Sequence, residues 1–169
     1  WTVQLAADMG VAVPSCSAAL EARFVSAAKS TRKKCEAVYG NSISSQPLSA
    51  DSKVWASKVE EALMCAKILA YAQGFSVLSQ AAQEYNWDLK LAELAKIWRG
   101  GCIIRARLLD TIIAAFTAQP LLPSLLLDEK VAALLKKHVS ALRDVAAEAI
   151  SHGLPVPALA SALLYFDAM

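Results

Sequence analysis

The sequence has no Cys-x-x-Cys pair, two histidines, no glycine-rich phosphate loop and almost no strand-like alternation of polar and apolar residues. Each absence removes a class of function. Cys16, Cys35, Cys65 and Cys102 stand far apart, so a zinc site is not expected. An even cysteine count is compatible with disulfides. A core of this size can do without them, and reduced thiols in the cytoplasm are the default reading. No G-x-G-x-x-G follows a strand and no P-loop is present, so no site for a dinucleotide or nucleoside triphosphate is visible. No basic leader and no signal-like apolar segment follow Trp1.

Charge of one sign is also scarce. Seventeen basic and fifteen acidic residues leave a net charge of +2, with no long run of either. Lys33-Lys34 and Lys136-Lys137 are short and read as solvated faces, not as a nucleic-acid surface. Uninterrupted apolar runs are short too. Ile68 to Gln83 contains Gln73, Gly74, Ser76, Ser79 and Gln80, and Thr111 to Leu127 is broken by Pro120 and Pro123. Neither reads as a membrane span.

What is abundant is alanine, about a fifth of the residues, followed by leucine. Hydrophobic residues make up 56% and mean hydropathy is +0.40. That excess fits helices buried on more than one face, or a large subunit interface. The pattern predicts an all-α domain over residues 1–169, with at least six helices and no linker dividing it.

A first short helix runs near Thr2 to Met9 and stops at Gly10. A second opens at Pro14 with Ser15 or Ser17 and reaches Tyr39, capped by Gly40. Asn41 to Ala50, with Pro47, reads as a loop. Ser49 or Asp51 caps a long third helix. Its apolar positions Trp55, Val59, Ala62, Leu63, Ala66, Leu69 and Ala70 carry on through Gly74 to about Glu84. Asp88 is expected to cap a fourth helix with Leu91, Leu94 and Ile97 on one side. Gly100-Gly101 interrupts, and a fifth helix sets Ile104, Leu108, Ile112 and Ala115 in register until Pro120. Asp128 caps a sixth, from Val131 through Leu142 to Ile150, stopped by Gly153. Pro155 and Pro157 precede a seventh apolar segment from Ala158. Trp1 in place of a starting methionine, and an apolar pattern still running at Met169, suggest a piece of a longer protein.

Few residues advertise chemistry. His138 and His152 read as surface histidines, the latter four residues after Glu148. Gly100-Gly101 reads as a tight junction or close helix approach more than as a ligand site. Arg99, Arg105 and Arg107 read as helix-end pairing partners. Arg23 lies among apolar residues; it can pair with Glu21 or a nearby acid, or offer its planar fork to a phosphate or carboxylate.

Six segments carry a resemblance. Ile97 to Arg105 (IWRGGCIIR) resembles the W-R-G-G-C-I-I-R segment of 6-phosphogluconate dehydrogenases. Ala66 to Phe75 (AKILAYAQGF) resembles that family's S-K-I-x-x-Y-A-Q-G-F. Ala81-Ala82 with Tyr85-Asn86-Trp87 follows its A-A-x-E-x-x-W stretch. Leu125 to Asp128 fits as well. Gly153 to Pro157 and Ala162 to Asp167 resemble G-x-P-x-P and A-L-x-Y-x-D. Trp1-Thr2 falls at the end of the family's K-G-T-G-K-W-T.

The resemblance implies the helical C-terminal domain of an NADP-dependent, decarboxylating enzyme that is a cytoplasmic homodimer. Its reaction converts 6-phosphogluconate to ribulose 5-phosphate with loss of CO2, in the pentose phosphate pathway. Arg23 falls on the family's F-A-R arginine, which binds the substrate phosphate, and Ser26, Lys29 and Arg32 follow its S-x-x-K-x-x-R. The family's general base and acid, its substrate-holding lysine and threonine, and the NADP-binding domain fall before Trp1; its tail arginine and histidine fall after Met169. The resemblance thus implies a segment with Arg23 for substrate, no catalytic residue, no metal, and no activity alone. Two other readings remain: a free-standing helical interaction module without catalytic activity, and a relative acting on a smaller β-hydroxyacid. A free-standing module is expected to carry a start methionine and proper end caps, which this sequence lacks, and the W-R-G-G-C-I-I-R segment favours the 6-phosphogluconate dehydrogenase reading over the smaller relative, which needs no phosphate site.

Overall fold

A computed structural model describes residues 1–40 and 51–169. The described residues form eight α-helices and no strand: α1 (Thr2–Asp8), α2 (Pro14–Ala27), α3 (Lys29–Tyr39), α4 (Ser52–Glu84), α5 (Leu91–Gly101), α6 (Leu108–Ala118), α7 (Glu129–Ser151) and α8 (Pro157–Ala168). A 3-10 turn, Leu125–Leu127, precedes α7. The expected loop Asn41 to Ala50, and Ser49 as a cap, lie outside the described residues.

Helix ends follow local chemistry. Asp51 caps α4 by accepting the Lys53 amide at 2.8 Å, and Asp128 caps α7 by accepting those of Lys130 and Val131, each at 3.0 Å. α1 and α7 end on left-handed glycines, Gly10 and Gly153, each at φ 68°. Around Gly10 the Val11 amide reaches back to Ala6 and the Gly10 amide to Ala7; Leu154 and Gly153 do the same to Ala149 and Ile150. These reverse bonds satisfy the last free carbonyls, and they require a residue that tolerates positive φ. A β-carbon at Gly10 would meet nothing within 4 Å, and the same holds at Gly74 inside α4. The two sites therefore separate backbone conformation from packing. Gly10→Ala is expected to destabilise the chain by about 1 kcal/mol, and Gly74→Ala to stabilise it by about 0.5–1 kcal/mol. Urea unfolding of the two variants checks the opposite signs.

Three expectations are corrected. The helix expected from Pro14 to Tyr39 is broken at Ala28, which sits at φ -76°, ψ 49°. The Ala28 amide is shared between the carbonyls of Phe24 and Val25, and the Arg32 guanidinium donates to the Ser26 carbonyl at 3.1 Å. Arg32 thereby takes up a carbonyl that the break sets free. α5 starts after Lys90, with no side-chain cap, so Asp88 is not its cap. Ile104 lies in the turn before α6, not in the helix, and is exposed.

The chain's contacts group into two compact units. One comprises Trp1–Val13 and Lys67–Lys137. Its core includes Ile68, Leu69, Phe75, Leu109, Ile112 and Leu125, each at most 2% exposed. α5 and α6 pack side by side here. The Phe75 ring lies 5.2 Å from that of Trp98 and 5.1 Å from that of Phe116. The space left beside Phe75 and Phe116 is only about 10 Å³, so this cluster is closely filled. Tyr71 donates its hydroxyl hydrogen to the Ile104 carbonyl. Burial, and second the neighbouring Cys102, push the Tyr71 phenol up.

The other unit comprises Pro14–Ala66 and His138–Met169. α2 packs on α8, and small residues dominate its core: Ala62, Cys65, Ala141, Ala146 and Ala162 beside Leu142. Small side chains allow close helix approach. Burial pushes the Cys65 thiol up to about 11, so it stays protonated at neutral pH. α7 and α8 are joined by a two-pronged bridge from Arg143 to Asp167, at 2.9 and 2.5 Å. The hydrogen bond from Arg143 holds the Asp167 carboxyl below its usual range.

The stretch Ile68 to Gln83 is not expected from its sequence to span a membrane, but by length and composition α4, which contains it, is long and apolar enough to cross a bilayer, with a mean hydropathy of 1.3 over its most apolar window. In the fold 44% of that window is buried inside the protein, and Gln73 within it is fully buried. Burial of this kind fits a core helix.

Candidate functional site

Arg23 lies near the end of α2 and is exposed. Ala18, Glu21, Ala22, Val25 and Ser26 of α2 line a cleft of about 900 Å³, whose other walls are Arg32, the turn Gly153 to Val156 and the start of α8. Arg23 is not among those lining residues; at 100° per residue it is carried off the cleft face. Its guanidinium forms no hydrogen bond or ion pair among the described residues, and neither does the Lys29 ammonium. Pairing of Arg23 with Glu21 is thus not what the structure has. Arg32, the third cation in this stretch, is engaged at the Ser26 carbonyl, where it steadies the α2–α3 break. The α2–α3 region therefore presents Arg23, Lys29, Lys33 and Lys34 without a hydrogen bond or ion pair among the described residues, next to Arg32, which has one.

The other sequence candidates fall elsewhere. His138 and His152 are not surface histidines: their side chains are 12% and 17% exposed. His138 Nδ1 is 3.1 Å from Glu61 of α4, and His152 lies 3.7 Å from Glu148 one turn earlier, as the spacing suggests. The burial has a simple cause, since each ring meets a carboxylate that can hold it. Close by, Lys58 bridges to Asp144 at 2.9 Å. Nothing local signals His138–Glu61 or Lys58–Asp144, whose partners are 77 and 86 residues apart. Gly100 and Gly101 are not a close approach either, since a β-carbon on either would meet nothing within 4 Å. Of the three arginines near them, Arg99 does pair, with Asp110; Arg105 and Arg107 form no ion pair among the described residues. Among the described residues, no three or more His, Cys, Asp or Glu side chains gather where a metal could sit.

The segments that looked like sequence signatures turn out to be joined to one another. Tyr71 and Phe75 of AKILAYAQGF meet Ile104 and Trp98 of IWRGGCIIR. Asp167 of the last segment grips Arg143. These residues position helices, and the chemistry they could support directly is slight.

The family model for the 6-phosphogluconate dehydrogenase C-terminal domain matches residues 1–169. The chain belongs to the 6-phosphogluconate dehydrogenase family. It is 42% identical to a decarboxylating 6-phosphogluconate dehydrogenase of Synechococcus elongatus over 99% of the chain and 35% of that relative. The NADP(+)-dependent, decarboxylating enzyme of Bacillus subtilis is 41% identical over the same shares. A solved structure of Plasmodium falciparum 6-phosphogluconate dehydrogenase, described in its apo form and in complexes with NADP+ and with 6-phosphogluconate, superposes with a TM-score of 0.93 at 36% identity. It covers 99% of the chain and 36% of the Plasmodium protein. The chain thus spans about a third of the length of the curated relatives it matches. Family membership and helical fold agree with the resemblance read from the sequence segments. Among the described residues no strand leads into a helix through a glycine-rich turn.

Proposed function

We propose that residues 1–169 act as one helical domain for substrate binding and dimerisation in an NADP-dependent, decarboxylating 6-phosphogluconate dehydrogenase. The reaction is the oxidative decarboxylation of 6-phosphogluconate to ribulose 5-phosphate. Arg23 takes the substrate's phosphate, and the enzyme works as a cytoplasmic homodimer that needs neither nucleic acid nor membrane. The family match over the whole chain carries this reading. The state of Arg23 supports it at the level of the residue: a guanidinium with no partner among the described residues, on a helix whose opposite face is packed, can grip an oxyanion by two parallel hydrogen bonds. Exposed apolar side chains such as Val38, Leu63, Ile97 and Leu164 support an interface with a second copy. The four cysteines are all free thiols, which suits a reducing compartment.

Within this reading the chain supplies binding and assembly and no proton-transfer group of its own. The 169 residues alone, given 6-phosphogluconate and NADP, are expected to form no NADPH by absorbance at 340 nm. Sustained turnover by the purified chain would falsify the assignment of the catalytic groups to other parts of the enzyme.

A further inference from the structure

The turn between α5 and α6 carries more positive charge than the fold consumes. Arg99, Arg105 and Arg107 line a shallow cleft of about 300 Å³, together with Ala106 and Asp110. Asp110 is the only acid in that cleft, and it is already bridged by Arg99. Arg105 and Arg107 are exposed, two residues apart, and form no ion pair among the described residues. Two neighbouring guanidiniums repel each other, and an anion placed between them reverses the sign of that interaction.

The backbone beneath them is pinned. The Arg105 amide bonds to the Cys102 carbonyl at 3.1 Å, the Asp110 amide to the Arg107 carbonyl at 3.0 Å, and the Ile104 carbonyl accepts from Tyr71. The Arg99–Asp110 bridge fixes one wall. A ligand here meets donors whose anchor points are held in place, which lowers the ordering cost of binding. A tetrahedral dianion suits the geometry, because each planar fork can offer two parallel N–H donors to a pair of its oxygens.

We propose that this turn is a second anion site, independent of Arg23, which binds a phosphate group through Arg105 and Arg107. The probe is inorganic phosphate titrated into the 169-residue chain, with the arginine side-chain N–H signals followed by NMR at constant chloride. Saturable shifts of the Arg105 and Arg107 signals, reproduced by sulfate, are expected. R105Q/R107Q is expected to weaken binding at least about tenfold. K33Q/K34Q, which removes the same charge from the exposed face of α3, and R23Q, whose own anion contact is separate, are both expected to leave the Arg105 and Arg107 shifts unchanged. Circular dichroism confirms that each variant remains helical. Parallel titrations with 6-phosphogluconate and gluconate separate the sources: equal binding of the sugar phosphate and inorganic phosphate marks a site for the free ion, and tighter binding of the sugar phosphate marks a phosphorylated metabolite. Shifts that never saturate, or equal weakening by K33Q/K34Q, would overturn the proposal. Loss of binding in R23Q alone would assign the anion to Arg23 and overturn it as well.

Discussion

Replacing Arg23 with alanine in the product of the complete reading frame is expected to raise KM for 6-phosphogluconate by about a hundredfold, with little change in the affinity for NADP. The magnitude follows from removing charge-assisted hydrogen bonds to a phosphate, each worth about 1.5–3 kcal/mol. Stability should barely change, because Arg23 is exposed and has no partner among the described residues; surface substitutions of that kind usually fall within about 0.5 kcal/mol. The rise in KM therefore cannot be put down to unfolding. Arg23→Lys should recover part of the loss, since it keeps the charge and gives up the fork. An unchanged KM in Arg23→Ala would make Arg23 a solvated surface residue and leave the phosphate to other groups.

The second large effect lies in the core. Phe75→Ala is expected to cost about 3–5 kcal/mol, the range for deleting a buried aromatic ring. Phe75 is 2% exposed, touches the rings of Trp98 and Phe116, and has almost no free space around it into which neighbours could collapse. Such a loss is a large share of the roughly 5–15 kcal/mol that a domain has to lose. Leu127→Ala, at an apolar residue that is 65% exposed, is the control and should change stability by less than about 0.5 kcal/mol. Urea unfolding followed by tryptophan fluorescence distinguishes the two. A cost below about 1 kcal/mol for Phe75→Ala would mean that the cluster linking α4, α5 and α6 is not a keystone of its unit.

Features legible in the sequence are those decided by a residue and its near neighbours. Asp51 and Asp128 cap because their carboxylates reach amides two and three residues on. Gly10 and Gly153 stop helices because a left-handed residue closes the last turn. What escaped depends on residues distant in sequence or on no special residue at all. The break at Ala28 has neither proline nor glycine to announce it, and rests on a guanidinium reaching back six residues. The burial of His138 depends on Glu61, supplied by another helix. Gly100-Gly101 suggested a close approach that the fold does not make.

The candidate site divides in the same way. Arg23 was open between two roles by position alone, and the resemblance named one of them. The structure adds that Arg23 has no hydrogen bond or ion pair among the described residues, which the sequence could not show because Glu21 was an available partner. The signature segments were legible as a family mark, while their purpose was not. Phe75 and Trp98 prove to join two helices, and Tyr71 and Ile104 a helix and a turn, and nothing in their spacing says so.

The most direct test of the central claim is to express the product of the complete reading frame that contains these residues and to measure NADP reduction with 6-phosphogluconate as substrate. 6-Phosphogluconate-dependent NADPH formation is expected, with one CO2 released per NADPH. A folded, pure product that binds NADP yet shows no turnover of 6-phosphogluconate would contradict it.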